Sequence, residues 1–71
     1  MATQTDDGLS AREREVIQLV ARGKANKEIA AVLGMAAATL KGHLESIYQK
    51  YRVSNRTEAV VEWLRRMAGA E

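Results

Sequence analysis

The chain has 71 residues, enough for one domain, and a domain this small buries only roughly 60% of the surface its unfolded form exposes. Without cysteine it can build no disulfide, thiolate metal site or thiol nucleophile, and no apolar run approaches the ~20 residues that span a bilayer. The net charge is only +2, but it is unevenly spread: between Lys24 and Arg56 there are six Lys or Arg against two acids, Glu28 and Glu45.

Met1 to Gly8 is polar and acidic, lacks the blocks of a signal peptide, and is expected to be a disordered tail before a domain over 9–71. Ser10-Ala11-Arg12-Glu13 spells a capping box, with Leu9 placed to staple onto the helix that follows. Val16, Ile17, Leu19 and Val20 supply its buried side, and Arg22-Gly23 is a glycine stop, so the first helix spans about Ala11 to Arg22. After a short loop, a second helix covers about Asn26 to Leu33 and ends at Gly34. A third runs from about Ala37 to Tyr51, with Leu40, Leu44 and Ile47 as its apolar stripe. Asn55 with Glu58 offers another cap, and a fourth helix covers about Arg56 to Met67. The fold class is all-α, a compact four-helix domain.

Within it, Asn26 to Ile47 has the organisation of a helix-turn-helix. Ile29, Leu33 and Met35 point inward, Ala30 is small enough for a close crossing, and Gly34 sits at the corner. This leaves Ala37, Ala38, Lys41, Gly42 and Glu45 on the outward face of the third helix, where a helix of this kind meets the DNA major groove.

Four blocks carry a family resemblance: Leu9-Ser10-Ala11-Arg12-Glu13-Arg14-Glu15-Val16, Asn26-Lys27-Glu28-Ile29-Ala30, Thr39-Leu40-Lys41-Gly42-His43, and Val53-Ser54-Asn55-Arg56-Thr57-Glu58-Ala59. In order and spacing they resemble the LuxR/GerE-type DNA-binding domain of bacterial transcription regulators, over about Leu9 to Leu64. No carboxylate pair, base-assisted nucleophile or glycine-rich phosphate loop appears, so no enzyme activity and no cofactor are expected, and a cytoplasmic location fits; the resemblance implies a sequence-specific bacterial regulator of transcription. It also implies that the third helix enters the major groove and that the fourth helix pairs two copies on a pseudo-palindromic site. Such a domain usually forms the C-terminus of a longer regulator, and small stand-alone members exist.

The DNA-facing set expected from the resemblance and the chemistry is Lys27, Thr39, Lys41, Gly42, Glu45, Arg56 and Thr57. Lys41 suits guanine acceptors or phosphate, while Lys27 lies at the positive end of the second helix. Arg56 and Thr57 open the fourth helix, where the family contacts the DNA backbone, and Lys50 is a weaker phosphate candidate. Glu45 can accept from a cytosine amine or repel phosphate. Because Ala37, Ala38 and Gly42 offer bases no side-chain hydrogen bond, the domain is expected to read few bases directly and to lean on backbone contacts and DNA shape.

The chain departs from the family pattern at two caps. Ala25 and Ala36 stand where serine or threonine is usual, and each forgoes ~1 kcal/mol. Asn26 can take over the first cap by a one-residue shift; nothing replaces the second, so the third helix is expected to fray at Ala37 to Thr39. Gly42 carries a further penalty of roughly 0.8–1.0 kcal/mol relative to alanine.

Val60, Trp63, Leu64 and Met67 are the expected dimer face, with Trp63 also able to serve as core. His43, the only histidine, has no companion at ligand spacing and is expected to be packed and hydrogen-bonded, not to bind a metal. Double-stranded DNA and a second copy are the expected partners, with RNA polymerase or another regulator a further one and no membrane. The alternative is a protein-interaction module that keeps this fold with reduced or lost sequence-specific DNA binding.

Overall fold

A computed structural model of the chain describes residues 7–69. Its order is α1 (Ala11–Ala21), α2 (Asn26–Leu33), α3 (Ala37–Tyr51) and α4 (Arg56–Ala68), with no strand among the described residues. The four helices match the expected bounds except that α1 stops one residue earlier and α4 runs one residue further. Helices α1 and α3 form the centre, each packed against the other three elements around it, while α2 and α4 lie on separate flanks without packing on each other. The core is Val16, Ile17 and Val20 of α1, Ile29 of α2, Leu40, Leu44, Ile47 and Tyr51 of α3, and Ala59 and Trp63 of α4, closed by Leu9. Burying these apolar surfaces against one another is the main favourable term, at about 25 cal/mol per Å².

The helix starts fall into two kinds. At α1 the capping box forms in both directions: the Glu13 N–H donates to Ser10 Oγ (3.2 Å) and the Ser10 N–H donates to Glu13 Oε1 (2.9 Å). At α4 the Asn55 side-chain oxygen accepts from the Glu58 N–H at 2.9 Å. The two helices of the helix-turn-helix are different, because their caps are Ala25 and Ala36 and neither supplies a side-chain acceptor. At α2 half a box survives, with the Ala25 N–H donating to Glu28 Oε1 at 2.9 Å. The expected shift of the cap to Asn26 does not occur, since Asn26 is already the first helical residue and its side-chain oxygen is engaged by Arg56.

The helix ends share one device. After α1, α2 and α3 the chain turns through a left-handed residue, Gly23 (φ 84°), Gly34 (φ 66°) and Arg52 (φ 58°). The next N–H then reaches back five residues: Lys24 to the Leu19 carbonyl, Met35 to that of Ala30 and Val53 to that of Tyr48. Two of these positions hold glycine, which reaches φ > 0 without a Cβ clash; the third holds arginine, which does not.

The N-terminal boundary needs correction. Residues 7 and 8 do not belong to a disordered tail, and the remainder of that expected tail, 1–6, lies outside the described residues. Asp7 is 0% exposed and its carboxylate collects four donors. Oδ1 accepts from the Leu9 N–H (3.1 Å) and Arg14 Nη2 (2.8 Å), and Oδ2 from Arg14 Nε (2.7 Å) and Trp63 Nε1 (3.1 Å). Its carbonyl accepts from the Tyr51 hydroxyl at 2.8 Å, and the Arg66 guanidinium lies 4.4 Å from the centre of the Tyr51 ring. The Arg14 guanidinium outweighs burial and, with the Leu9 and Trp63 donors, holds the Asp7 carboxyl at about 2. Burial, reinforced by the Asp7 charge, pushes the Tyr51 phenol up to about 12.

Glu13 is a second buried carboxylate with a double task. Besides its capping bonds it accepts from Ser46 Oγ and Lys50 Nζ, both at 2.6 Å, and so joins the start of α1 to the C-terminal half of α3. Burial alone would raise its carboxyl, but Lys50, Ser46 and the Ser10 N–H together outweigh that and hold it at about 2.

Candidate nucleic-acid interface

The crossing of α2 and α3 leaves a recess of about 610 Å³ on the outer side of the helix-turn-helix. Buried Leu40 and Leu44 and half-buried Ala30 form its apolar floor, while exposed Lys27 from α2 and Lys41 and Glu45 from α3 stand at its edge, with Tyr48 at the far end. Two lysines from different helices thus face one concave surface, a placement suited to an anionic strand. Neither lysine makes a salt bridge among the described residues.

The α3 face follows from helix geometry. At roughly 100° per residue, Leu40, Leu44, Ile47 and Tyr51 define the inward direction, and Ala38 and Gly42 lie almost opposite it. Lys41 leans toward α2, whereas Thr39 is turned roughly 160° from Lys41 around the helix. Thr39 is exposed but outside the recess, so it does not gather with the lysines.

Arg56 takes an unexpected position. Its guanidinium donates to Asn26 Oδ1 (2.6 Å) and to the Lys24 carbonyl (2.8 Å), spanning the gap between the starts of α4 and α2. It therefore braces the first turn of α2, next to Lys27, with donors that sequence reasoning had directed at phosphate. Thr57, beside it, is exposed and lines a smaller recess of about 250 Å³ with Arg56, Val20 and Val60. Lys50 is withdrawn from the phosphate candidates because its ammonium is paired with Glu13.

Two further expectations are corrected. Trp63 is 7% exposed and donates to Asp7, so it is a core residue and not part of a dimer face. At helical spacing it lies on the inward side with Ala59, leaving Val61 (59% exposed), Leu64 (51%) and Met67 as the open apolar stripe, with Val60 half-buried at its edge. His43 is half-buried, and no hydrogen bond to its ring occurs among the described residues. It sits roughly 60° off the inward direction of α3, which leaves its ring at the solvent boundary. No group of three or more His, Cys, Asp or Glu among the described residues is placed to hold a metal, and no helix is long and apolar enough to cross a membrane.

The positioning residues not legible in the sequence are Asp7, Arg14 and Tyr51, which pin the N-terminal segment to α3 and α4, and Asn26, the acceptor for Arg56. Local sequence carries no signal for the long-range pairs. The Arg14–Asp7 spacing is the only short-range hint.

Comparison with known proteins matches residues 7–63 to the bacterial regulatory proteins of the luxR family. The chain is 44% identical over 57 residues to the spore germination protein GerE of Bacillus subtilis, covering 80% of this chain and 77% of GerE. It is 46% identical over 52 residues to the monoamine regulon transcriptional regulator of Klebsiella aerogenes, covering 73% of this chain and 23% of that regulator. Among solved structures, the response regulator ChrA of a heme-sensing two-component system superposes with a TM-score of 0.80 at 39% identity, over 93% of this chain and 31% of ChrA. Several other curated regulators are also much longer, the chain spanning 26% of their length. The match begins at Asp7, the residue whose burial moved the domain boundary, and it takes in the whole helix-turn-helix. The chain therefore belongs to the luxR family of bacterial regulatory proteins and carries its GerE-type helix-turn-helix, the DNA-binding element of transcription regulators.

Proposed function

We propose that this domain binds double-stranded DNA sequence-specifically in the bacterial cytoplasm, with α3 in the major groove, as a homodimer on a pseudo-palindromic site. The observation that carries this reading is the recess between α2 and α3, where Lys27 and Lys41 face outward beside the exposed Ala38–Gly42–Glu45 surface. Lys27 and Lys41 hold the phosphate backbone. Arg56 keeps the start of α2 in place for that contact and, with Thr57, borders the strand, while Thr39, on the other flank of α3, faces the opposite strand. Glu45 and Gly42 face the base edges. The open stripe Val61, Leu64 and Met67, with Val60 at its edge, pairs two copies so that their α3 helices fall one DNA turn, ~34 Å, apart. A docked RNA polymerase or second regulator is a further partner of the DNA-bound form.

Fluorescence anisotropy with a random duplex and with duplexes selected from a random pool, across a salt series, tests the binding. Tight, salt-sensitive binding to selected duplexes is expected, and Lys27→Ala and Lys41→Ala should each reduce the salt slope by about 0.9. No binding to any duplex at low salt would refute it in favour of a protein-interaction module. Sedimentation with and without DNA tests the dimer; a monomer under both conditions at high concentration removes that part.

A further inference from the structure

The glycines that close helices, Gly23 and Gly34, have φ values of 84° and 66° that other residues reach only with strain. Gly42 has no such reason. It lies inside α3 with an ordinary right-handed backbone, and a Cβ built on it would meet nothing within 4 Å. The fold has no need of glycine there, and alanine is the better helix former. The same residue is at the outermost line of α3, almost opposite Leu40, Leu44 and Ile47, beside Lys41.

We infer that Gly42 is the point of closest approach between the α3 backbone and the floor of the DNA major groove, a fit-determining position whose missing side chain lets the helix seat deeper. The inference rests on the DNA-binding reading above. The groove is ~12 Å wide and ~8.5 Å deep and admits a helix, so the size of the side chain on the outermost line of α3 sets how near its backbone comes to the base edges. With Ala38 one turn before it, Gly42 gives α3 a low ridge that recognises the groove by contact and shape, with no hydrogen bond of its own. Lys27 and Lys41 stand to one side of that ridge, where they meet the strand without blocking descent.

The test compares Gly42→Ala and Gly42→Leu, two good helix formers of different size. Both should melt about 3–8 °C above the unsubstituted chain. Yet Gly42→Ala should bind the selected duplex roughly tenfold more weakly and Gly42→Leu weaker still, with both nearly unchanged on random duplex at low salt. A merely structural glycine cannot yield higher stability with lower affinity. If both variants bind the selected duplex as tightly as the unsubstituted chain while Lys41→Ala still weakens binding, the inference falls and the DNA-binding reading stands. A lower melting temperature for Gly42→Ala also overturns the inference, because the fold would then need the glycine. If the unsubstituted chain binds no duplex, both fall together.

Discussion

Replacing Asp7 with asparagine keeps the shape of the side chain and removes its charge. The carboxylate of Asp7 meets four donors, from Leu9, Arg14 twice and Trp63. Asparagine offers one oxygen and turns an NH₂ group toward the rest. Two routes give the size of the effect. Depression of the carboxyl from 3.8 to about 2 is worth about 2 kcal/mol at 1.36 kcal/mol per pH unit. Breaking a buried pair typically costs ~3–5 kcal/mol, but the Arg14 side chain is 31% exposed and can turn to water, which places the loss near the lower figure. We expect about 2–3 kcal/mol, a large part of the ~3–5 kcal/mol that a core this small supplies, and a melting temperature lower by roughly 10–20 °C. The pH dependence is specific to the charge. A carboxyl with a lowered folded value takes up its proton more readily when unfolded, so its stabilisation is complete above its ordinary 3.8 and is lost as pH falls toward 2. Glu13, lowered from 4.5 to about 2, acts over an overlapping window, so Asp7→Asn should flatten the profile only in part and Asp7→Asn with Glu13→Gln should flatten it further. Urea denaturation followed by circular dichroism at pH 7 and between pH 2 and 5 measures both. A variant that melts within 2–3 °C (about 0.5 kcal/mol) of the unsubstituted chain, or keeps its full acid slope, would refute the reasoning.

Arg52→Gly should stabilise the domain by about 1 kcal/mol in urea titrations, because glycine removes the left-handed strain at φ 58° while Gly23 and Gly34 already use it at equivalent helix ends. Ala36→Thr should add ~1 kcal/mol by supplying the missing cap of α3, and hydrogen exchange at Ala37 to Thr39, expected to be rapid in the unsubstituted chain, should slow; strong protection there before substitution would contradict the fraying. Arg56→Ala, Asn26→Ala and their double variant form a cycle. If Arg56 acts by bracing α2, the two single losses of DNA affinity overlap and the double variant loses little more than either, whereas additive losses point to an independent phosphate contact.

Much of the architecture was legible locally. The Ser10–Glu13 box, the Asn55–Glu58 cap, the stops at Gly23 and Gly34 and the apolar stripes of α1 and α3 each act within one or two helical turns, so near neighbours suffice to place them. Lys41 and Glu45 were likewise placed on one face of α3 by spacing, whereas only the crossing of α2 and α3 brings Lys27 to the same recess. Legibility failed where a side chain's partner lay far along the chain. A short acidic stretch before a helix reads as solvated tail, yet the Asp7 carboxylate is paired with Trp63, 56 residues away, and its carbonyl with Tyr51, 44 away. Arg56 reads as a free cation at a helix start, but its acceptors are 30 and 32 residues away.

The amino-acid sequence by itself determined four helices, their limits within one residue, the helix-turn-helix and the family, because periodicity, capping and turn chemistry are short-range. Only the tertiary structure decided which charges are spent inside the molecule. Asp7, Glu13, Arg14, Lys50 and Arg56 are all drawn into internal contacts, while Lys27 and Lys41 are left at the recess. The physical reason is that a charge's role depends on what packing brings within about 3 Å of it, and helical spacing carries no record of that once the partner is on another helix.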